Sequence, residues 1–247
     1  MEMDKTETQA GGFSWKRLIP LVVLVAGLIA FFALGVDKYL TFEALRENRA
    51  WLLDQVRQSA LLAAAVYIGV YILVVAFSLP GGAVMTITGG FLFGQWIGSL
   101  YVVFAATIGA TILFIAAKTA LGDMLRAKAG PFLKRMEAGF RENALSYLLV
   151  LRLIPIFPFF IVNLVPAFLG VSLRVFVLAT FVGIIPGSFV YATVGAGLGS
   201  IFDSGEEFSA KGILTPEIVT ALVGLAILAL LPVAYKWYKA KRGQSAD

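Results

Sequence analysis

"VLRLIPIFPFFIVNLVPAFLG", residues 150–170, is almost wholly apolar, yet it holds one arginine, one asparagine and three prolines. An apolar run of about 20 residues is long enough to cross a bilayer as a helix. Proline inside a helix deletes an amide donor and frees a carbonyl one turn upstream. In hydrocarbon, such broken backbone persists only where protein covers it or where it lines a wet cavity. The stretch therefore reads as one broken helix, as two short spans, or as a hairpin that enters the membrane and returns. In each case the charge of Arg152 needs a reason.

Composition sets the class. The 247-residue chain is 60% hydrophobic and 14% charged, with a mean hydropathy of +0.89, whereas soluble domains are about 25% charged. Residues 58–117 contain no Asp, Glu, Lys or Arg. These features define an integral membrane protein. Neither cysteine nor histidine is present, which excludes thiolate nucleophiles, disulfides, Cys/His metal sites and histidine acid–base chemistry. No nucleophile–base pair and no Walker-type glycine loop is recognisable, so neither an enzyme nor an ATP-driven pump is expected, and no metal or cofactor. The pI near 9.5 reflects a net charge of only +5 placed at membrane flanks, which reads as positive-inside topology and not as nucleic-acid binding.

Loop charges orient the segments. Apolar stretches fall at about 18–36, 60–93, 95–117, 144–170, 173–198 and 214–235, and Leu79-Pro80-Gly81-Gly82 breaks the second. Segment 1–17 carries three basic and three acidic residues, and 37–57 carries four of each. Loop 118–143 holds six Lys/Arg against three acids, loop 200–217 one against four, and the tail 236–247 four against one. Short Lys/Arg-rich loops stay cytoplasmic. The expected fold is therefore all-α, with four transmembrane helices plus two opposed re-entrant hairpins and both termini cytoplasmic. Its parts are a cytoplasmic segment 1–17, a first span 18–36, an interfacial amphipathic helix 37–58, and a core 59–200. An outer loop with the last span follows at 201–235, and a basic tail at 236–247. The run 18–36 is expected to be a retained span and not a cleaved signal, because Glu2, Asp4 and Glu7 precede it and no Ala-x-Ala site follows.

The two halves echo each other. A proline-broken segment ends in "FLFG" (91–94) and again in "AFLG" (167–170), and a helix containing Gly109 or Gly183 follows each. An inverted repeat of broken helices points to a transport site where the breaks meet. Pro80, Pro155 and Pro158 are candidate hairpin tips. Gly90, Gly94 and Gly98 recur every four residues, as do Gly195 and Gly199, and such spacing serves close helix packing.

The ordered motifs "FSLPGGAVMTITGGFLFG" (77–94), "TIGATILFIAAK" (107–118), "LRLIPIFPFFIVN" (151–163), "LG" (169–170) and "TFVGIIPGSFVYATVG" (180–195) resemble the VTT-domain membrane proteins. That family is the SNARE-associated Golgi protein family of the wider DedA superfamily, and the resemblance covers about residues 60–200. It implies a bacterial inner-membrane protein with opposed re-entrant hairpins. Members are linked to lipid scrambling, to recycling of polyprenyl-phosphate carriers and to proton-dependent envelope homeostasis. By resemblance the site residues are Arg152, Pro155, Pro158, Phe159 and Asn163. Pro80, Gly81, Gly82, Gly90, Gly94, Gly109, Gly170, Gly183, Pro186 and Gly187 shape tips and packing, and Thr180 lies in the matched stretch.

This chain also departs from the DedA branch. Gly82 and Val70 stand where that branch carries acids, Pro158 stands where it carries a second arginine, and Lys118 replaces a frequent arginine. Proton coupling through those acids does not carry over.

Two readings of Arg152 remain at this stage. It faces a wet cavity, pairing with carbonyls freed at Pro155/Pro158 and with an anionic headgroup, which a guanidinium suits. Alternatively it snorkels to the cytoplasmic surface. Asn163 is either an interhelical hydrogen-bonder or a headgroup ligand. The function expected is a lipid transporter or scramblase for phospholipid or polyprenyl-phosphate headgroups, with a coupled small-anion transporter and a non-transporting scaffold as alternatives. The expected partners are membrane lipids and no nucleic acid, with homo-oligomerisation and accessory proteins left open.

Overall fold

The computed structural model describes residues 19–128, 131–154, 157–204 and 215–243, and all regular structure among them is helical. Segment 1–17, Pro155, the greater part of the acidic loop 200–217 and the end of the basic tail lie outside the described residues. Among the described residues nine α-helices run in order: α1 (Ile19–Ala33), α2 (Phe42–Glu47), α3 (Arg49–Gln58), α4 (Ala60–Ala76), α5 (Gly82–Lys128), α6 (Pro131–Leu153), α7 (Phe159–Phe168), α8 (Leu173–Ser204) and α9 (Pro216–Gly243).

Among the described residues, three helical stretches are long and apolar enough to cross a bilayer: Gly82–Ala120, Leu173–Gly199 and Ile218–Tyr235. The described part of the expected first span begins at Ile19 and ends at Ala33. α1 has 15 residues, about 22 Å at 1.5 Å per residue, and the chain leaves it through Gly35 at φ 66°.

α5 is not a single rod. Gly94 has φ 78° and ψ 170°, and the chain doubles back there. Gly98 lies against the backbone of Gly89 and Gly90, which a straight helix would hold about 13 Å away. The Phe93 ring meets Tyr101, with centroids 5.2 Å apart. Gly94 is thus a reversal, not the packing glycine that its four-residue spacing suggests. Gly170, at φ 73°, occupies the corresponding junction between α7 and α8. The glycines closing the two echoing motifs therefore do the same work, each letting a short arm turn into a long helix.

Lipid tails are as apolar as leucine, so helices in a membrane associate mainly through close packing and interhelical hydrogen bonds. The centre of the fold illustrates this. A Cβ at Gly90 would overlap the backbone of Ala192 on α8, and one at Gly195 would overlap Ile87 on α5. Gly109 is similarly tight, since its Cβ would come within 2.7 Å of the Ile72 carbonyl on α4. Around these crossings Phe114, Phe176, Leu148 and Val102 fill the core. Leu153, Leu222 and Ala226 join α6 to α9.

The expected single interfacial helix over 37–58 is broken. A 3₁₀ turn (Val36–Tyr39) precedes α2 and α3. Thr41 starts α2 by accepting from the Ala44 amide at 3.1 Å, and Asn48 separates α2 from α3 with its amide donated to the Ala44 carbonyl at 2.8 Å. Short polar side chains of this kind compete with helix continuation. Leu45 is buried against Ile87, Leu198 and Phe202, so protein covers much of the apolar face expected to lie on lipid. Trp51 on α3 stays exposed.

Candidate functional site

The first broken segment closes into an antiparallel hairpin of α4 and the opening arm of α5. Tyr67 and Tyr71, one turn apart on α4, project onto the returning arm. The Tyr67 hydroxyl donates to the Met85 carbonyl at 2.7 Å. The Tyr71 hydroxyl shares a 2.7 Å hydrogen bond with Thr86, and the Thr86 hydroxyl donates to the Gly82 carbonyl at 2.9 Å. At the tip, α4 ends with the Leu79 amide bonded to Val74 O and the Ser78 amide to Val75 O, the paired bonds of a Schellman ending. Gly81 turns the chain at φ 106° into α5, whose first bond runs from the Met85 amide to Gly81 O.

The second broken segment is organised around Arg152, near the end of α6. Its Nη2 donates to Asn163 Oδ1 at 2.7 Å and to Thr180 Oγ1 at 2.8 Å, joining α6 to α7 and α8. Asn163 is fully buried, and its amide nitrogen donates to the Phe159 carbonyl at 3.0 Å. Gly183 makes room for the arginine stem, since a Cβ there would sit 2.8 Å from Arg152 Cβ. The guanidinium carbon lies 5.4 Å from the Phe176 ring centre. Phe176 stacks on Phe114 with centroids 4.2 Å apart, and Phe114 has Lys118 Nζ within 5.5 Å of its ring. Lys118 also donates to the Val171 carbonyl at 3.0 Å, just beyond the Gly170 turn.

These contacts speak against the snorkelling reading of Arg152. A snorkelling side chain would carry its charge to the surface, but this guanidinium is tied sideways to two other helices. Among the described residues its partners are side-chain oxygens and not the proline-freed carbonyls anticipated from the sequence. A guanidinium has five N–H donors. Nε is buried without a partner, and no bond from Nη1 is found among the described residues.

The two tips meet. A cavity of about 530 Å³ is lined by Ser78, Leu79, Pro80, Gly81, Gly82 and Thr86 from the first hairpin, by Phe159 and Phe160 at the start of α7, and by Gly187, Ser188 and Tyr191 of α8. A second cavity of about 210 Å³ shares Gly187, Ser188 and Tyr191 with it and includes Arg152 in its wall. α5 and α7 both begin at the larger cavity, where the first amides of each helix lack intrahelical acceptors. Among the described residues, neither lining contains a carboxylate.

Most residues singled out from sequence fall on this arrangement. Pro80, Gly81, Gly82, Phe159 and Gly187 line the larger cavity, and a Cβ at Gly82 or Gly187 would meet nothing within 4 Å. Pro158 caps α7 in an extended conformation, and Pro186 lies within α8. Gly90, Gly94, Gly109 and Gly170 serve packing or chain reversal away from the cavity. Sequence reasoning overlooked Ser78, Thr86 and Ser188, together with the tyrosine pair. The four-residue spacing of Tyr67 and Tyr71 within an otherwise apolar α4 was the available signal.

Apolar helices folded around two broken segments, with a cavity where the breaks meet, define an integral membrane protein of the broken-helix kind. Residues 79–197 match the VTT domain. A transmembrane protein 41 homolog from Dictyostelium discoideum is 31% identical over 166 residues, covering 66% of this chain and 48% of the relative. Transmembrane protein 41B from Homo sapiens is 28% identical over 174 residues (69% and 57%), and that from Gallus gallus 27% (69% and 62%). The chain thus carries a VTT domain over residues 79–197 and is similar to these transmembrane proteins. It spans about half to three-fifths of the length of these relatives, and no solved structure matches it.

Proposed function

We propose that this chain is a lipid scramblase that moves phosphate-bearing headgroups along a polar path between its two broken segments. The observation that carries the reading is the cavity of about 530 Å³ walled by both hairpin tips, adjoining a second one that reaches Arg152. A headgroup crossing the bilayer must exchange water for other donors, and broken helices with free amide ends supply them near the midplane. Arg152 adds the one fixed cation among the described residues of the two linings, and its unbonded N–H groups suit phosphate oxygens. The downhill lipid gradient is a sufficient driving force.

The same reading gives a topology. The segment before Gly94 and the segment before Gly170 are re-entrant hairpins entering from opposite faces, with four crossings around them. The loop 118–143 and both termini are cytoplasmic, and the membrane is a bacterial inner membrane. The resemblance to a family linked to lipid scrambling supports the lipid over the coupled small-anion alternative. So does the absence of any Asp or Glu from positions 143–202 as well as 58–117.

Reconstitution into liposomes with fluorescent phospholipids tests the reading. Protein-containing vesicles should let an impermeant reductant bleach inner-leaflet probe faster than empty vesicles do. Bleaching confined to the outer leaflet would leave the non-transporting scaffold in its place.

A further inference from the structure

Serine and threonine in helices ordinarily satisfy their hydroxyls by donating to the carbonyl one turn back. This chain follows that rule at Thr86, Thr88, Ser99, Thr111, Thr119, Thr193 and Thr220. Ser188, within α8 and only 8% exposed, does not. Its hydroxyl has no hydrogen-bond partner among the described residues, yet it is absent from the fully enclosed unpaired atoms, because it opens onto both cavities.

Ser78 faces the same larger cavity from the other half of the molecule. Its hydroxyl also lacks a protein partner among the described residues. Its backbone is unusual too, with φ 54°, a left-handed conformation that costs any residue bearing a Cβ. The four other positive-φ positions among the described residues, 35, 81, 94 and 170, are all glycine. A Schellman ending also favours glycine at this position. Serine at 78 therefore keeps a side chain where the local backbone would prefer none.

We propose that Ser78 and Ser188 form a contact pair for a phosphate group inside the larger cavity, each donating its hydroxyl to a phosphate oxygen. Among the described residues both hydroxyls are free donors, they reach the cavity from the first hairpin and from α8, and no carboxylate in the lining competes for them. The unpaired first-turn amides of α5 and α7 supply further donors beside them. In this largely apolar cavity the two hydroxyls are the groups that an acceptor-rich ligand would seek. This inference rests on the transport reading above and names the residues that hold the ligand's phosphate.

The test compares the full chain with Ser78→Gly, Ser188→Ala and the double variant, purified in neutral detergent. Melting is followed alone, with phosphatidylglycerol, and with inorganic phosphate at matched ionic strength. Without ligand, each variant should melt at or above the wild-type temperature, because Ser78→Gly relieves the left-handed strain and Ser188→Ala removes an unpaired hydroxyl. With ligand the order should reverse, each substitution weakening apparent affinity about three- to ten-fold, as expected for loss of one hydrogen bond. A serine-dependent response to phosphatidylglycerol alone assigns a lipid headgroup to the pair, whereas the same response to phosphate assigns a free anion. Ligand stabilisation that is unchanged in the double variant, or absent from the wild type, overturns the pair. Lipid movement in liposomes from the same preparations separates the two levels. Serine-dependent binding without movement overturns the scramblase reading alone, and movement at wild-type rate with unchanged binding in the double variant overturns the serine pair alone.

Discussion

The two broken segments share a plan and differ in chemistry. Each has an arm, a proline-containing break, a returning arm, a glycine at positive φ and then a long helix. In the first, neutral hydroxyls hold the arms together: Tyr67 reaches a backbone carbonyl, and Tyr71 reaches Thr86. In the second, a cation makes the connection, with Arg152 joining Asn163 to Thr180. The repeat thus preserves backbone geometry while concentrating charge in one half. A pathway with a single fixed cation can favour a phosphate without holding it as tightly as two cations would, and conduction needs release as much as capture.

Removing the charge should give the largest effect. Arg152→Ala is expected to slow lipid movement roughly ten- to a hundred-fold, the scale of one lost charge-assisted hydrogen bond at about 1.5–3 kcal/mol. It also strips a partner from buried Asn163, so some stability is lost with it. Arg152→Lys keeps the charge without the planar fork and should retain part of the activity. Purification behaviour and lipid movement must be measured on the same preparations. Folded, inactive Arg152→Ala protein sharpens the contrast between the halves. Normal movement by that variant breaks it, and unfolding of both variants would make Arg152 a structural tie only.

The neutral hairpin should respond through stability. Tyr71→Phe removes the bond to Thr86, but Thr86 still has the Gly82 carbonyl, so no buried hydroxyl is stranded on that side. The expected loss is about 0.5–1.5 kcal/mol, read as a lower melting temperature, with lipid movement reduced less than two-fold. A double-mutant cycle with Thr86→Val isolates the shared bond. If Tyr71→Phe melts normally yet halts lipid movement, the first hairpin also does chemistry and the division of labour between the halves fails.

How legible this was in the sequence depended on the kind of signal. Prolines and charge-free runs located the breaks at Pro80 and Pro158, because they act on the backbone through local sterics. The paired glycines 94 and 170 were visible as an echo, but spacing alone could not show that Gly94 turns the chain while Gly90 packs a helix. Those roles are fixed by a neighbour, Gly89 in one case and Ala192 in the other, that lies far away in sequence or is reached only after the turn. Arg152 was conspicuous as a charge in apolar surroundings, whereas its actual partners, Asn163 and Thr180, lie 11 and 28 residues further on. Ser78 and Ser188 were invisible for a different reason. Serine is unremarkable in composition, and buried Thr107 also lacks a hydroxyl partner, so only the missing hydrogen bonds together with the shared cavity single these two out.

The smallest expected effect concerns energy coupling, and it extends the comparison from phosphate to protons. A proton-coupled path through the bilayer usually needs an acid that changes charge within it. Residues 58–117 and 143–202, which form both hairpins and most of the helices after them, contain no Asp, Glu or His. Gly82 opens onto the larger cavity with empty space beside its Cα, and Val70 on α4 is exposed on the outside of the fold, so neither supplies a replacement acid. Collapsing a proton gradient imposed across the liposomes should therefore change lipid movement by less than two-fold, within the scatter expected for a passive path. A strict requirement for the gradient would place a coupling carboxylate outside the two hairpins. Glu217, at the start of α9, would then be the first position to change, and Glu217→Gln should abolish the dependence while leaving Arg152 chemistry intact.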